Sequence, residues 1–320
     1  MLANALVGLA DTPHPPEAHT KRGSSSPSLS PASLRVLVTG GTGSFGSAFV
    51  RRVVGLGWTV RVFSRDEVKQ GVMRDEFDDA AGVRFLVGDV RDRSRLARAV
   101  EGCDLVVHAA ALKQVVSCEY NPFEAVKTNV VGSQNVVEAC LDAGVPRAIL
   151  LSSDKAVHPV NVYGASKLCA EKCWLAANVY AGGRDVRFSA VRYGNVRGSR
   201  GSVLEKASLG PVPVTDGRAT RFWMDVADAV DVVLLALREM HGGEVFVPKL
   251  RSARLSDVLG EARPEIGLRR GEKLHEMLIS DEEVSRTWDC GDHFRVCEYQ
   301  PANALRVPGS FRYCSEVTAA

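Results

Sequence analysis

From Leu34 onward the chain alternates short apolar runs with amphipathic stretches: LRVLVTG, FGSAFVRRVVGLG, WTVRVFS, VRFLVGD, DLVVHAA and PRAILLSS. The short runs have the length and β-branched content of strands, and the stretches between them carry a helical period. Strands that alternate with helices pair in parallel, because each crossover needs a helix to return the chain to the same edge. The pattern therefore predicts an α/β fold with a doubly wound parallel sheet. Its two longest helices are expected at Glu124–Ala143 and Tyr163–Ala181, followed by a strand in VRFSAVRYGNV. After Asn195, Gly and Pro break the period, until a helix at Asp225–Met240 and a strand in GEVFVPK return to it. These shifts predict a nucleotide-binding domain over 34–194 with returning elements at about 214–250. Residues 195–213 and 251–320 are expected to form a smaller, interleaved lobe. Residues 1–33, rich in Pro and Ser and without an apolar period, are expected to be disordered.

The first strand runs into Gly40-Gly41-Thr42-Gly43-Ser44-Phe45-Gly46, which places Gly40, Gly43 and Gly46 at GxxGxxG spacing before a helix. Glycine lets the turn be tight, lets backbone N–H groups approach a pyrophosphate, and lets the helix pack close to the strand. This is the Rossmann arrangement, and Gly40, Thr42, Gly43, Ser44, Phe45 and Gly46 are expected to bind a dinucleotide. Roughly 20 residues on, an acidic side chain would hold the ribose of NAD and a basic one the extra phosphate of NADP. The second strand ends in Ser64-Arg65-Asp66, and Ser64, Arg65 and Lys69 favour NADP, so NADP is expected rather than NAD. Asp89 and Val90 after the third strand are placed toward the adenine. Ala109, Ala110, Ala111 and Lys113 after the fourth would line the same groove, and Asn129 joins this set.

Tyr163 and Lys167, four apart in YGASK, share one helix face. A tyrosine is a weak base at neutral pH, and a nearby ammonium favours its phenolate, which could then accept a proton from an alcohol being oxidised.

The series TGGTGSFG, FSRDEVKQ, GDVRD, HAAALKQV, NPFEAVKTNVVGSQNV, SSDKAV, YGASK, RYGNVRGSRGSV, RFWM, GEVFVPK and GEKLHE resembles the extended short-chain dehydrogenase/reductases. Within them it is similar to the UDP-N-acetylglucosamine 4,6-dehydratases that invert carbon 5. The resemblance runs from Leu34 to about Phe294. It implies oxidation at carbon 4, loss of water across carbons 5 and 6, and reduction at carbon 6. Retaining relatives carry an Asp-Glu dyad where this chain has Asp154-Lys155. The resemblance implies that Asp154 protonates the departing hydroxyl and that Lys155 takes the carbon 5 proton. A base must be partly neutral, which a desolvated site beside other cations would favour. Membrane-anchored retaining relatives have methionine where Tyr163 stands.

On the same resemblance Asn195, Ser199, Arg200, Gly201, Ser202 and Lys113 face the nucleotide sugar, and Arg221, Arg269 and Glu272 hold its phosphates and ribose. Ser153 stands where the family usually has threonine and keeps the hydroxyl for a sugar oxygen. The segment after Val203 lacks the family's Pro-x-Phe helix and is shorter, and Arg270 replaces a usual proline.

Composition narrows the picture. The 40 basic and 38 acidic residues leave a net charge of +2, which implies no nucleic-acid partner. Eight cysteines occur without a CxxC, and the histidines show no ligand spacing, so no metal is expected and a reducing cytoplasm fits. MLANALVGLA lacks a basic flank for a signal peptide, and no segment has the length of a membrane span. A homo-oligomer is expected by analogy with relatives. A 4-epimerase or reductase would need Tyr163 and Lys167 but not Asp154-Lys155, and a dinucleotide-sensing scaffold would need neither pair.

Overall fold

The computed structural model describes residues 34–77, 82–210, 212–260 and 264–316. The expected disordered segment 1–33 lies outside the described residues. In chain order the first half runs β1 (Arg35–Thr39), α1 (Ser44–Val54), β2 (Thr59–Ser64), α2 (Glu67–Arg74), β3 (Val83–Val87), α3 (Arg93–Val100) and β4 (Leu105–His108). It continues through α4 (Val115–Tyr120), α5 (Pro122–Ala125), α6 (Gly132–Ala143), β5 (Arg147–Leu151), α7 (Val162–Tyr180) and β6 (Arg187–Val191). Then come β7 (Asn195–Val196), α8 (Val203–Leu209), β8 (Thr220–Met224), α9 (Val226–Glu239), β9 (Val245–Pro248), β10 (Arg251–Arg254) and α10 (Leu255–Leu259). The last strands are β11 (Met277–Ile279), β12 (Thr287–Asp289), β13 (His293–Val296), β14 (Leu305–Arg306) and β15 (Tyr313–Cys314).

The main sheet has the order β14-β12-β13-β9-β6-β5-β4-β1-β2-β3, parallel from β3 through β9. Strands Val36–Val38 and Val106–Val107 are buried on both faces because helices cover both. Leu37 and Val106 pack into one core layer with Val136, Val137 and Trp174, while Val36, Val38 and Val107 pack into the other with Phe49, Val50 and Val233. The strand order reverses between β1 and β4. That switch point opens a crevice at the carboxyl ends of the strands, where such sheets bind ligands.

Three differences from the expected elements matter. The helix foreseen as one piece over Glu124–Ala143 is α5 and α6 joined by a π-helical segment, Val126–Val131. Such wide turns recur at functional sites, and this one carries Asn129. Residues 287–306, expected in the smaller lobe, instead extend the main sheet. β13 pairs antiparallel with β9, and β12 and β14 follow. The antiparallel addition covers the backbone groups that β9 would otherwise leave open at a sheet edge. Finally, VRFSAVRYGNV is two strands: β6 stays in the main sheet, and β7 joins β8 and β10 in a second, three-stranded sheet. Among the described residues no helix is long and apolar enough to cross a membrane.

Candidate active site

A cavity of about 560 Å³ opens at the switch point. The glycine turn forms its floor. Gly40 adopts φ +66°, and a Cβ there would sit 2.8 Å from the Ala110 nitrogen; a Cβ on Gly46 would lie 2.5 Å from the Gly40 carbonyl. The backbone thus requires glycine at both places, one for the turn and one for the approach of α1 to it. No acidic residue stands in the first turn of α1, so no carboxylate of that turn competes for the N–H groups a helix start leaves without intrahelical partners.

Thr42, Gly43, Ser44, Phe45, Ser64, Arg65, Lys69, Asp89, Val90, Ala109, Ala110, Ala111 and Lys113 all line the cavity with Gly40 and Gly46. The Arg65 guanidinium is 3.5 Å from Asp89. Burial opposes ionisation of Asp89, but hydrogen bonds from Arg91 hold it below the usual carboxylate range. Asp66, next to Arg65 just after β2, also lines the cavity. It caps α2 by accepting from the Lys69 N–H (2.9 Å) and pairs with the Lys69 ammonium.

Asn129, expected on the cofactor, lies behind the wall. It is fully buried, and its amide clamps Leu112 on both backbone groups, accepting at 2.8 Å and donating at 2.9 Å. The π-helical turn brings it within reach, so Asn129 shapes the Ala109–Lys113 loop from below. His108, beneath the same wall, bonds Thr39 (2.6 Å) and Ser133 (3.0 Å), and burial pushes its pKa down to about 3.

At the centre stand Ser153, Lys155, Tyr163 and Lys167. A 3₁₀ turn, Asp154–Ala156, follows β5 and packs on the first turn of α7. Asn161 caps α7 by accepting from the Gly164 N–H (2.7 Å). A side chain at Gly164 would collide with the Lys155 carbonyl, so the glycine of YGASK sets how closely α7 approaches the Asp154–Ala156 turn. Lys167 is 3% exposed, and burial lowers its pKa to about 8. Tyr163 departs from the sequence expectation: burial raises its pKa, offset in part by a hydrogen bond with Ser153 and the charge of Lys155. The phenol is therefore the resting form here.

Asp154 is 1% exposed and lies under Ser153 and Lys155 rather than on the cavity. Its Oδ1 accepts from Ser153 Oγ (2.8 Å) and Lys155 Nζ (3.2 Å), while Oδ2 accepts no hydrogen bond. Burial raises its pKa, and nearby Glu276 raises it further against the pull of Lys155. The expected surroundings of Lys155 are reversed. It lies between two carboxylates, with Glu276 Oε1 also at 3.2 Å, and although burial opposes its charge, Asp154 and Glu276 hold its pKa above the ordinary lysine range.

On the substrate side, Asn195, Ser199 and Arg200 line the cavity, as do Thr128, Ser152, Tyr193 and Gly194, which sequence reasoning passed over. Arg200 bridges to the glycine turn: its N–H donates to Ser44 Oγ (2.9 Å) and its guanidinium to the Thr42 carbonyl. Gly201 and Ser202 are turned away. Gly201 donates to Glu205, and Ser202 caps α8. Burial lowers the pKa of Lys113 beside Glu205 and Arg200. Arg221, Arg269 and Glu272 do not line the cavity. Arg221 is 4% exposed, and its terminal nitrogens already donate to the carbonyls of Thr220, Lys273 and Leu274 and approach Glu272 (3.4 Å). Those donors hold the guanidinium against the chain's own carbonyls.

The polysaccharide biosynthesis protein family matches residues 36–298. The inverting UDP-N-acetylglucosamine 4,6-dehydratase of Campylobacter jejuni serotype O:2 is 44% identical over 274 residues, covering 82% of each chain. A UDP-glucose 4-epimerase of Rickettsia conorii is 40% identical over 282 residues, again 82% of each. The X-ray structure of Pen from Bacillus thuringiensis superposes with a TM-score of 0.86 at 36% identity, covering 91% of this chain and 95% of that one.

Proposed function

The chain belongs to the polysaccharide biosynthesis protein family of extended short-chain dehydrogenase/reductases, and from that premise we propose that it is a nucleotide-sugar 4,6-dehydratase. Its substrate in this reading is UDP-N-acetylglucosamine, its product a 4-keto-6-deoxy sugar nucleotide inverted at carbon 5, and its cofactor NADP. One observation carries the reading: Lys155 and the Asp154-bound Ser153 reach the same cavity as Tyr163 and Lys167. An oxidation needs only the second pair; an elimination needs two further proton-transfer groups.

The dinucleotide, when bound, supplies the acceptor and later the donor of a hydride. Its cradle fits the glycine turn, whose close backbone approaches at Gly40 and Gly46 admit no side chain and leave the backbone of the turn lining the cavity. Tyr163, a phenol at rest, first gives its proton to solvent, a loss that Ser153 and the charge of Lys155 favour, and its phenolate then accepts the carbon 4 hydroxyl proton. The Asp154–Lys155 ion pair then exchanges one proton across 3.2 Å, leaving a neutral amine and a carboxylic acid. Lys155 takes the carbon 5 proton, and Asp154 gives its proton through the Ser153 hydroxyl to the hydroxyl leaving carbon 6 as water. The pair is thereby returned to its ionic form. A proton from solvent, delivered to the opposite face of carbon 5, inverts that centre. Epimerase relatives at 40% identity favour a second reading, oxidation and re-reduction at carbon 4 alone.

The two readings separate in D2O. Purified protein with NADP and UDP-N-acetylglucosamine is expected to give, by NMR, a 4-keto-6-deoxy sugar with one deuteron at carbon 5; an intact carbon 6 hydroxyl with a changed carbon 4 centre sinks the dehydratase. The cofactor preference has its own test. Arg65→Ser removes a cation suited to the ribose phosphate and is expected to weaken NADP by about tenfold while leaving NAD unchanged. Equal losses for both dinucleotides, in a binding titration, would show that Arg65 does not choose between them.

A further inference from the structure

Glu276 lies four residues beyond Glu272 in GEKLHE, at the entrance to β11, and is 2% exposed. Its backbone is pinned to the C-terminal strand: its N–H donates to Ser315 Oγ (2.9 Å) and its carbonyl accepts from the Ser315 N–H (2.8 Å). Its side chain points at three cations, with Lys155 at 3.2 Å, Lys273 at 3.3 Å and Arg221 at 4.0 Å. Lys273 is itself held in place, donating to the Val157 carbonyl. A carboxylate so deeply buried is expensive to ionise unless it is paired. Here burial is outweighed by Lys155, Arg221 and Lys273, which hold it ionised.

We propose that Glu276 is a positioning residue of the proton-transfer pair: its fixed carboxylate locates the Lys155 amine beside Asp154 and strengthens that amine as a base. The inference rests on the dehydratase reading for its catalytic meaning, but the contact itself does not. Lys155 faces Asp154 and Tyr163 from its own segment and α7, and Glu276 and Arg221 from the C-terminal segment and β8. Among these, Glu276 is the carboxylate supplied from a distant part of the chain. An anion at this distance stabilises the ammonium formed when Lys155 takes up a proton. A base whose conjugate acid is better stabilised draws the carbon 5 proton more strongly, although a smaller share of it is neutral at a given pH. The same anion opposes ionisation of Asp154, which suits a proton donor. Arg221 and Lys273, by keeping Glu276 ionised, maintain the effect. This also gives Arg221 a place beside the Lys155 pair.

The test reads the proton affinity of Lys155 directly, by competitive amine labelling of the whole protein across pH with mass-spectrometric detection at Lys155. Glu276→Gln keeps the shape and one acceptor but removes the charge. It is expected to move the Lys155 labelling midpoint down by about one pH unit. Glu276→Asp, which retains the charge but withdraws it, is expected to move it in the same direction by less, and it decides the matter if the glutamine variant does not fold. In parallel, the fall of water loss at alkaline pH, where the pair loses the single proton it exchanges, should shift down by the same interval as the labelling midpoint, with a lower plateau. Unchanged labelling midpoints overturn the proposal. A shifted midpoint with an unshifted rate profile leaves Glu276 in control of Lys155 charge but overturns its part in the reaction. If the wild-type protein makes no keto sugar while the midpoint moves as expected, the dehydratase reading falls and the Glu276–Lys155 coupling stands.

Discussion

Lys155→Met is expected to keep dinucleotide binding and to slow water loss by about 100- to 10,000-fold, the range removed with a general base. The side chain reaches the cavity at 20% exposure, whereas its partners Asp154 and Glu276 do not. Losing the amine therefore removes the group that the proposed dehydratase reaction places at the carbon 5 proton, while the glycine turn and the Ser64–Lys69 segment stay intact. It also leaves two buried carboxylates without their shared cation, so a fall in melting temperature accompanies the loss of rate. Lys155→Arg separates the two effects. A guanidinium preserves charge and ion pairing but does not give up its proton at accessible pH. The arginine variant should regain stability and remain inactive in elimination, measured by deuterium uptake at carbon 5. Water loss at the normal rate in either variant would mean that the base is another group.

The second large effect concerns stability. Arg192 follows β6, is 1% exposed, and is held between Glu171 (2.5 Å) and Glu283 (2.8 Å), with a further hydrogen bond to the Leu278 carbonyl (2.8 Å). It ties α7, the main sheet and the segment after β11 together immediately before Tyr193 and Asn195 of the cavity wall. Arg192→Leu strands two buried carboxylates and is expected to cost about 3–5 kcal/mol, a large part of the roughly 5–15 kcal/mol that holds a domain folded. Urea denaturation measures it; a change below about 1 kcal/mol would show that the triad contributes little. The same contact has a pH signature. Burial opposes ionisation of Glu283, but Arg192 lowers its pKa from 4.5 to about 2. A depressed carboxylate stabilises the fold fully above its unfolded value. That contribution is lost as pH falls from about 4.5 toward 2, and the Arg192→Leu variant should lack this part of the acid transition.

How far the site could be read in advance depended on the range of the signal. The glycine turn is local: strand, GxxGxxG and helix are contiguous, and each glycine answers to contacts within one βα unit, apart from the approach of Ala110 to Gly40. The Tyr163/Lys167 pair was equally local, because helical spacing alone puts both on one face. Asn129 could be marked but not understood, since its partner Leu112 is 17 residues away and the π-helical turn that joins them has no simple apolar period. That Arg221 and Glu272 stand outside the cavity lining was not legible for a related reason. A charged pair in a motif looks the same whether it meets a ligand or the chain's own carbonyls.

The sequence by itself determined the parallel sheet, the dinucleotide cradle and the two adjacent pairs Asp154–Lys155 and Tyr163–Lys167, because period, turn chemistry and helical spacing act over a few residues. Only the tertiary structure decided the charge state of those groups. Lys155 was expected to be eased toward neutrality by neighbouring cations; Glu276, brought from 121 positions along the chain, makes its surroundings anionic instead. The Tyr163 phenol, expected to be ionised by its lysine, is kept protonated by burial. Desolvation and Coulomb energy depend on which groups meet in space and how far water is excluded, and neither quantity is written in a local pattern of residues.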